Sequence, residues 1–381
     1  MRLLLLLGSL SVWAAQIPNN TTFTSQPHHT LAHDTRQLEW AMKAAYERQT
    51  FFDKDPNHGM VQYVTPEVAF RDGLAFWTEN GTPGIQAEHW KNLPVGEKRN
   101  SVRISSKTAF GGGLFVFDMA LLPHGCGVWP AVWMLGAGNN WPYSGEIDVI
   151  VSVDWEGVHN STQNQMTIHA STGCTISGDT DTYSGVRLNE NCDSSKGSIG
   201  CSIRSDSDLS YGDRFNNAGG GVYALLWDST GIKFWNFQRA SIPQDLVARE
   251  PQPHIWGKPV AVFDRGSCDP YSFFDAQVII LNVNLCGDWA GNTYDSSGCP
   301  GTCAERISDP ANLDNTIMLI NSIVVYQQTD GRSSTKSADE FDSGFGAAGP
   351  INPTHHRGHA TRSGVSFWLA FAATVLGVIN L

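Results

Sequence analysis

Basic clusters are missing from this chain. Its 25 Lys and Arg are scattered among 37 Asp and Glu, leaving a net charge of −12 over 381 residues. No stretch is positive enough to hold nucleic acid. Also absent is any Cys-x-x-Cys pair among the eight cysteines, so their spacing implies no metal site, and no cofactor motif appears. No repeat and no internal linker divides the central ~315 residues, enough for one large core with long loops, the alternative being two domains. Helical periodicity is scarce: it appears once, between about Asp34 and Arg48, where Leu38, Met42 and Ala45 share a face. What the chain has in quantity is tryptophan, 13 in all. An acidic surface rich in indoles suits a neutral, polyhydroxylated ligand held by stacking and hydrogen bonds.

The two ends carry addresses. Residues 1–15 join one Arg to an apolar run from Leu3 and small residues at Ala14 and Ala15, the pattern of a secretory signal peptide, with a buried strand as the alternative. Secretion into an oxidising compartment makes disulfides the expected fate of the cysteines. Their pairing does not follow from sequence, although Cys192/Cys201 and Cys299/Cys303 bracket polar, loop-like stretches. Sequons at Asn19, Asn20, Asn80 and Asn160 fit the same route. After the main domain (16–330), residues 331–364 form a Ser/Gly/Pro/His-rich spacer that cannot build a core. An uncharged apolar tail, 365–381, follows it. A small-residue site at Gly346, Ala347 and Ala348 before such a tail reads as a GPI-attachment signal. A short transmembrane anchor or a buried strand are the alternatives. The expectation is a secreted monomer tied by lipid to the plasma membrane or cell wall.

Strand signals fill the interval between. Ser101–Ser106 alternates, Leu114–Leu122 is an apolar run entered through three glycines, and Gln277–Leu285 and Thr316–Gln328 are β-branched and continuous. Gly221–Trp227 and Ile232–Phe237 flank Asp228-Ser229-Thr230-Gly231, a hairpin signal. Many short strands, glycine-rich turns and little helix predict an all-β, two-sheet jelly-roll sandwich, whose concave face would offer a groove to an extended polymer.

Chemistry concentrates at Trp141 to Ser152. Glu146 and Asp148, two apart in a strand, share a face, while Ile147 and Val149 face the other way. Side-by-side acids raise one another's pKa. The pair is either a solvated edge strand or two carboxylates aimed into a groove, with Trp141 as a stacking platform.

Gly-Glu-Ile-Asp (145–148) resembles the motif of glycoside hydrolase family 16, and the chain is most similar to the fungal laminarinase-like endo-1,3(4)-β-glucanases. The likeness extends over Phe51-Phe52-Asp53, residues 55–59, Ser101 to Ile104, and Gly125 to Trp133. It continues through Gln165 to His169, Tyr211-Gly212, Gly219 to Ala224, Ile242-Pro243, Trp256-Gly257, and Cys286 to Gly291. The resemblance implies a lectin-like jelly roll that cleaves β-glucan with retention, through Glu146 as nucleophile and Asp148 as the residue that holds and tunes it. It also implies that His169, Trp141, Arg103 and Trp289 line the cleft.

At the position of the family's general acid/base stands Val151, followed by Ser152 where Gly is usual. Strict alternation would turn that position away from the groove, so a β-bulge is expected to bring it back. Retention needs two carboxyl groups ~5–5.5 Å apart, and valine supplies none. Asp154 and Glu156 would sit roughly 26 and 33 Å along an extended strand from Glu146; Ser152 is too weak an acid. A further departure is that only Lys54 separates Phe51-Phe52-Asp53 from Asp55, which would trim an outer strand or groove wall. Three functions stay open: a β-glucan-binding lectin built on a hydrolase scaffold, a slow glycosidase borrowing an acid such as His169, or a wall-remodelling transglycosylase.

Overall fold

Apolar runs too continuous for a half-exposed sheet become, in the computed structural model, strands buried on both sides. The structure describes residues 12–17, 55, 57–137, 140–151, 161–328 and 335–337. In chain order the strands are β1 (Val12–Ile17), β2 (Val61–Tyr63), β3 (Ala75–Trp77), β4 (Pro83–Gln86), β5 (Arg99–Ser101) and β6 (Arg103–Phe110). Next come β7 (Gly113–Leu121), β8 (Val128–Gly136), β9 (Glu146–Val151), β10 (Gln165–His169), β11 (Val186–Asn189) and β12 (Cys201–Arg204). The last are β13 (Gly221–Asp228), β14 (Gly231–Gln238), β15 (Ala261–Asp264), β16 (Gln277–Leu285), β17 (Ile317–Gln328) and β18 (Thr335–Ser337).

Two sheets stack as a sandwich. One has the order β15-β14-β13-β7-β17-β4-β3, and the other β11-β12-β10-β9-β8-β16-β6-β18. Pairing within both is antiparallel, except that β1 runs parallel along β17 from Val12–Ile323 to Ile17–Gln328, using residues from the segment read as a leader. The predicted hairpin is present as β13–β14, closing on Asp228 and Gly231. Ser101–Ser106 is divided: Ser101 ends β5, which pairs with β2, and Arg103 begins β6. Val102 and Ile104 still enter the common core.

Phe115, Phe117 and Met119 of β7 meet Val132 and Met134 of β8, Ile147 and Val149 of β9, and Ile279 and Leu281 of β16 between the sheets. The alternate residues of β7 and β13, Leu114, Val116, Val222, Ala224 and Leu226, form a second apolar layer on the far face with Trp235 and Leu246, against which Trp256 packs. Two buried faces explain why these strands read as unbroken apolar runs. Among the described residues the α-helices are short, four to six residues each, as in Pro66–Arg71 and Cys303–Ser308. Elements of one or two turns leave no readable period.

The described cysteines are all paired: Cys126–Cys299, Cys174–Cys268, Cys192–Cys201 and Cys286–Cys303. Cys299 and Cys303, though they flank one short loop, bond to different partners. Among the described residues no helix is long and apolar enough to cross a membrane. The expected helix at Asp34–Arg48, Phe51 to Lys54, Ser152, Asp154 and Glu156, the sequons at Asn19, Asn20 and Asn160, and the C-terminal tail lie outside the described residues. Asn80 sits in an exposed turn closed by Gly81 N–H donating to the Thr78 carbonyl at 2.8 Å.

Candidate active site

The acidic pair lies in β9, inside its sheet between β8 and β10, so the edge-strand alternative is excluded. Glu146 is opposite Leu135 on one side and His169 on the other; Asp148 is opposite Trp133 and Thr167. Gly145 delivers the chain into β9 with φ +75, and a Cβ there would come within 2.3 Å of Phe274. Only glycine fits that combination of a left-handed backbone and a close ring.

Beyond Asp148 the register slips. Trp133 pairs with Asp148 but Val132 with Ile150, and Gln165 pairs with Val151. β9 therefore carries one extra residue, the bulge anticipated from sequence. Val149 and Ile150 both enter the intersheet core. Val151 emerges on the other side, clustered with Trp129, Ala131, Trp133 and Ala290, with Trp289 packed against them. Glu146, Asp148 and Val151 thus share the outer face.

Polar contacts fix the pair. Trp141 Nε1 donates to Glu146 Oε2 at 2.5 Å. His169 Nε2 lies 3.2 Å from Asp148 Oδ2, to which it donates, and its Nδ1 shares a hydrogen bond with the Ser194 hydroxyl at 2.9 Å. The Trp141 and His169 rings lie 6.1 Å apart, and Trp141 is half exposed. Burial pushes Glu146 up to about 7, reinforced by the charge on Asp148; His169 and the Trp141 hydrogen bond pull the other way. Burial also opposes charge on His169. Yet the charge of Glu146, with the hydrogen bond and charge of Asp148, outweighs it and raises His169 to about 9. Donor atoms of Glu146, Asp148 and His169 lie within 4.8 Å of one another, a spacing a small cation could bridge. Here they satisfy each other.

Arg103 lies with its guanidinium 5.0 Å from the Trp133 ring centroid, and burial lowers its pKa against the charges of Tyr63, Asp55 and Glu146. Trp289, on the short helix Gly287–Ala290, meets Trp129 edge-on at 5.9 Å. The structure therefore brings Trp141, His169, Arg103 and Trp289 to the same side as the acids. Sequence reasoning overlooked Asn282, whose Oδ1 accepts from Trp133 Nε1 at 2.8 Å and whose Nδ2 donates to Tyr63 at 3.3 Å. Asn282 and Asn284, two apart in an apolar strand, were the available signal. Ser194 and Tyr143, which is exposed on the Trp141 loop, had none.

The charge balance has a measurable consequence. A carboxyl whose pKa is higher folded than unfolded holds its proton longer in the native state. Stability then falls as pH rises from the ordinary 4.5 through about 7. His169, raised from 6.5 to about 9, adds a decline over that second window. Glu146→Gln removes the first decline. In thermal melts the variant should unfold at higher temperature than the parent at pH 8, the gap closing by pH 4; equal midpoints at pH 8 would refute the balance described.

A model of the XgeA-like catalytic GH16 domain matches residues 49–326. A probable glycosidase of Schizosaccharomyces pombe is 38% identical over 317 residues, 79% of this chain and 73% of that protein. A probable endo-1,3(4)-β-glucanase of Aspergillus clavatus is 38% identical over 300 residues, 76% of this chain and 45% of that protein. The chain spans less than half the length of the β-glucanases it matches. The structure of laminarinase 16A from Phanerochaete chrysosporium, holding β-glucans in donor and acceptor sites, aligns with a TM-score of 0.65 at 36% identity, covering 71% of this chain and 91% of that one. An elongating family 16 β-1,3-glucosyltransferase aligns with a TM-score of 0.65 at 33% identity, covering 74% and 93%. The chain belongs to glycoside hydrolase family 16, in the lineage of endo-1,3(4)-β-glucanases and β-1,3-glucosyltransferases.

Proposed function

We propose that this protein recognises β-1,3(1,4)-glucan and cleaves it poorly or not at all. The observation that carries this reading is the bulge in β9, which presents Val151 on the face where retention needs a second carboxyl group. Glu146 stays available as nucleophile and Asp148 as its support. No proton reaches the departing oxygen from position 151, and general acid catalysis is worth ~10²–10⁴ in rate.

His169 is a poor substitute. Both ring nitrogens are engaged, by Asp148 and Ser194. It also stands opposite Glu146, while Gln165 occupies the place beside Val151. The glucans held by the laminarinase neighbour support a glucan ligand here, with Trp141 and the Trp129–Trp289 pair as stacking surfaces. The similarity to an elongating glucosyltransferase favours transfer as the second reading, but transfer requires the same missing proton.

The test is a binding isotherm on laminarin beside a reducing-end assay on the same protein. Saturable binding with turnover at least ~10² below a competent family member is expected. Cleavage at ordinary enzymatic rates would overturn the reading. Loss of such cleavage in Asp154→Asn or Glu156→Gln would locate the acid there.

A further inference from the structure

We propose that the groove reads an acidic substituent on its glucan, a carboxylate or phosphate held by Arg204. This deepens the glucan-binding reading above and rests on it. Arg204 lies on the same face as Glu146 and Asp148. In β10 and β12 the alternate residues Met166, Ile168, Cys201 and Ile203 enter the intersheet core, which turns Gln165 and Arg204 outward. Register then places Val151 opposite Gln165, Gln165 opposite Arg204, and Arg204 opposite Val186 of the edge strand β11. Two strand spacings put Arg204 roughly 10 Å from Val151. Unlike the closed walls around Val151, this end is open: Val186 is 46% exposed, and Arg204 is partly exposed.

Arg71, Arg99, Arg187, Arg214, Arg239 and Arg265 each reach a carboxylate within ion-pair distance. Arg204 reaches none among the described residues, in a chain with 37 Asp and Glu, and its Nε is buried without a hydrogen-bond partner. An arginine that merely decorates a surface keeps that nitrogen in water, whereas a buried charged donor with no acceptor is costly. The guanidinium fork fits two oxygens of one anion; a sugar hydroxyl offers a single oxygen and no charge. Surrounding charge decides where such a group can sit. Glu146 and Asp148 repel an anion at the reacting centre, and the net charge of −12 repels a uniformly charged polymer. The ligand that fits is a mainly neutral β-glucan with sparse acidic groups, one of them docked at Arg204.

The experiment measures binding of the full chain to neutral laminarin, to laminarin sparsely oxidised to C6 carboxylates, and to laminarin sparsely phosphorylated at O6. At low ionic strength at least one acidic form should bind ~10-fold more tightly than the neutral one, the worth of a hydrogen bond to a charged group. The form that shows the gain names the oxyanion, and added salt should shrink it. In Arg204→Gln the acidic and neutral forms should bind alike, while Arg204→Lys should keep part of the gain. Arg71→Gln, which removes an exposed arginine already paired with Asp72, should keep all of it. Equal affinity of the parent for all three laminarins overturns this inference and leaves the glucan-binding reading standing. So does a gain that survives unchanged in Arg204→Gln. Failure of the folded protein to bind any laminarin overturns both.

Discussion

Val151→Glu raises the rate of laminarin cleavage by about 10²–10⁴, the worth of a general acid, or roughly 3–5 kcal/mol from the barrier. The backbone that would present the carboxyl is already in place. The extra residue of β9 sends Val149 and Ile150 into the core and turns position 151 outward with Glu146 and Asp148. The apolar setting helps the new group: burial beside another carboxylate keeps a glutamic acid protonated, as a proton donor must be. Volume is the opposing term, because Val151 is only 3% exposed and an added carboxyl must displace its neighbours at a cost of about 1–3 kcal/mol in stability. Reducing-end release and chain-length analysis of products read the gain. If laminarin binding persists and no cleavage appears, the groove has lost more than one proton donor, and the valine is a consequence of that loss.

Arg99→Leu is the most damaging single change expected for the fold. The Arg99 and Glu88 side chains are 0% and 4% exposed and meet at 2.7 Å. Arg99 also donates from Nε to the Ile307 carbonyl at 2.5 Å and from Nη2 to the Ser308 carbonyl at 2.8 Å. One guanidinium thus ties β5 to the Glu88 loop and to the end of the helix Cys303–Ser308. Removing one member strands a buried carboxylate at a cost of about 3–5 kcal/mol. At roughly 2–4 °C per kcal/mol for a domain somewhat smaller than this, the melting temperature should drop on the order of 10 °C. Replacing both residues, as Glu88→Leu with Arg99→Leu, should recover much of the loss, since a buried pair exchanged for apolar side chains is often near neutral. A double variant no more stable than Arg99→Leu alone would show that the backbone carbonyls, and not the carboxylate, carry the cost.

The sandwich and the face bearing the acids were legible from local patterns: Leu114–Leu122 and Gln277–Leu285 read as strands because they are continuous apolar and β-branched runs, and Glu146/Asp148 as a shared side because they stand two apart. The bulge was legible only through the family resemblance, since Val149-Ile150-Val151 is three apolar residues that alternation alone cannot orient. Trp141, His169, Arg103 and Trp289 come together from four separate segments. Their meeting depends on cross-strand register, which no local pattern encodes. Ser194, the partner of His169, was hidden for the same reason. Cys299 and Cys303 show the limit most plainly: four residues apart in sequence, they are bonded to Cys126 and Cys286.

That last arrangement frees the Trp289 wall to vary. Cys286 and Cys303 close the stretch that carries Asp288 and Trp289 into a covalent loop, and Cys299 fastens its far side to Cys126 just ahead of β8. Insertions or deletions between Gly291 and Gly298 would be absorbed inside this fence without disturbing strand pairing, because the loop's attachment points are set by sulfur bonds and not by its length. A lineage could therefore reshape one bank of the cleft, and with it the ligands it accepts, while inheriting the sheets unchanged.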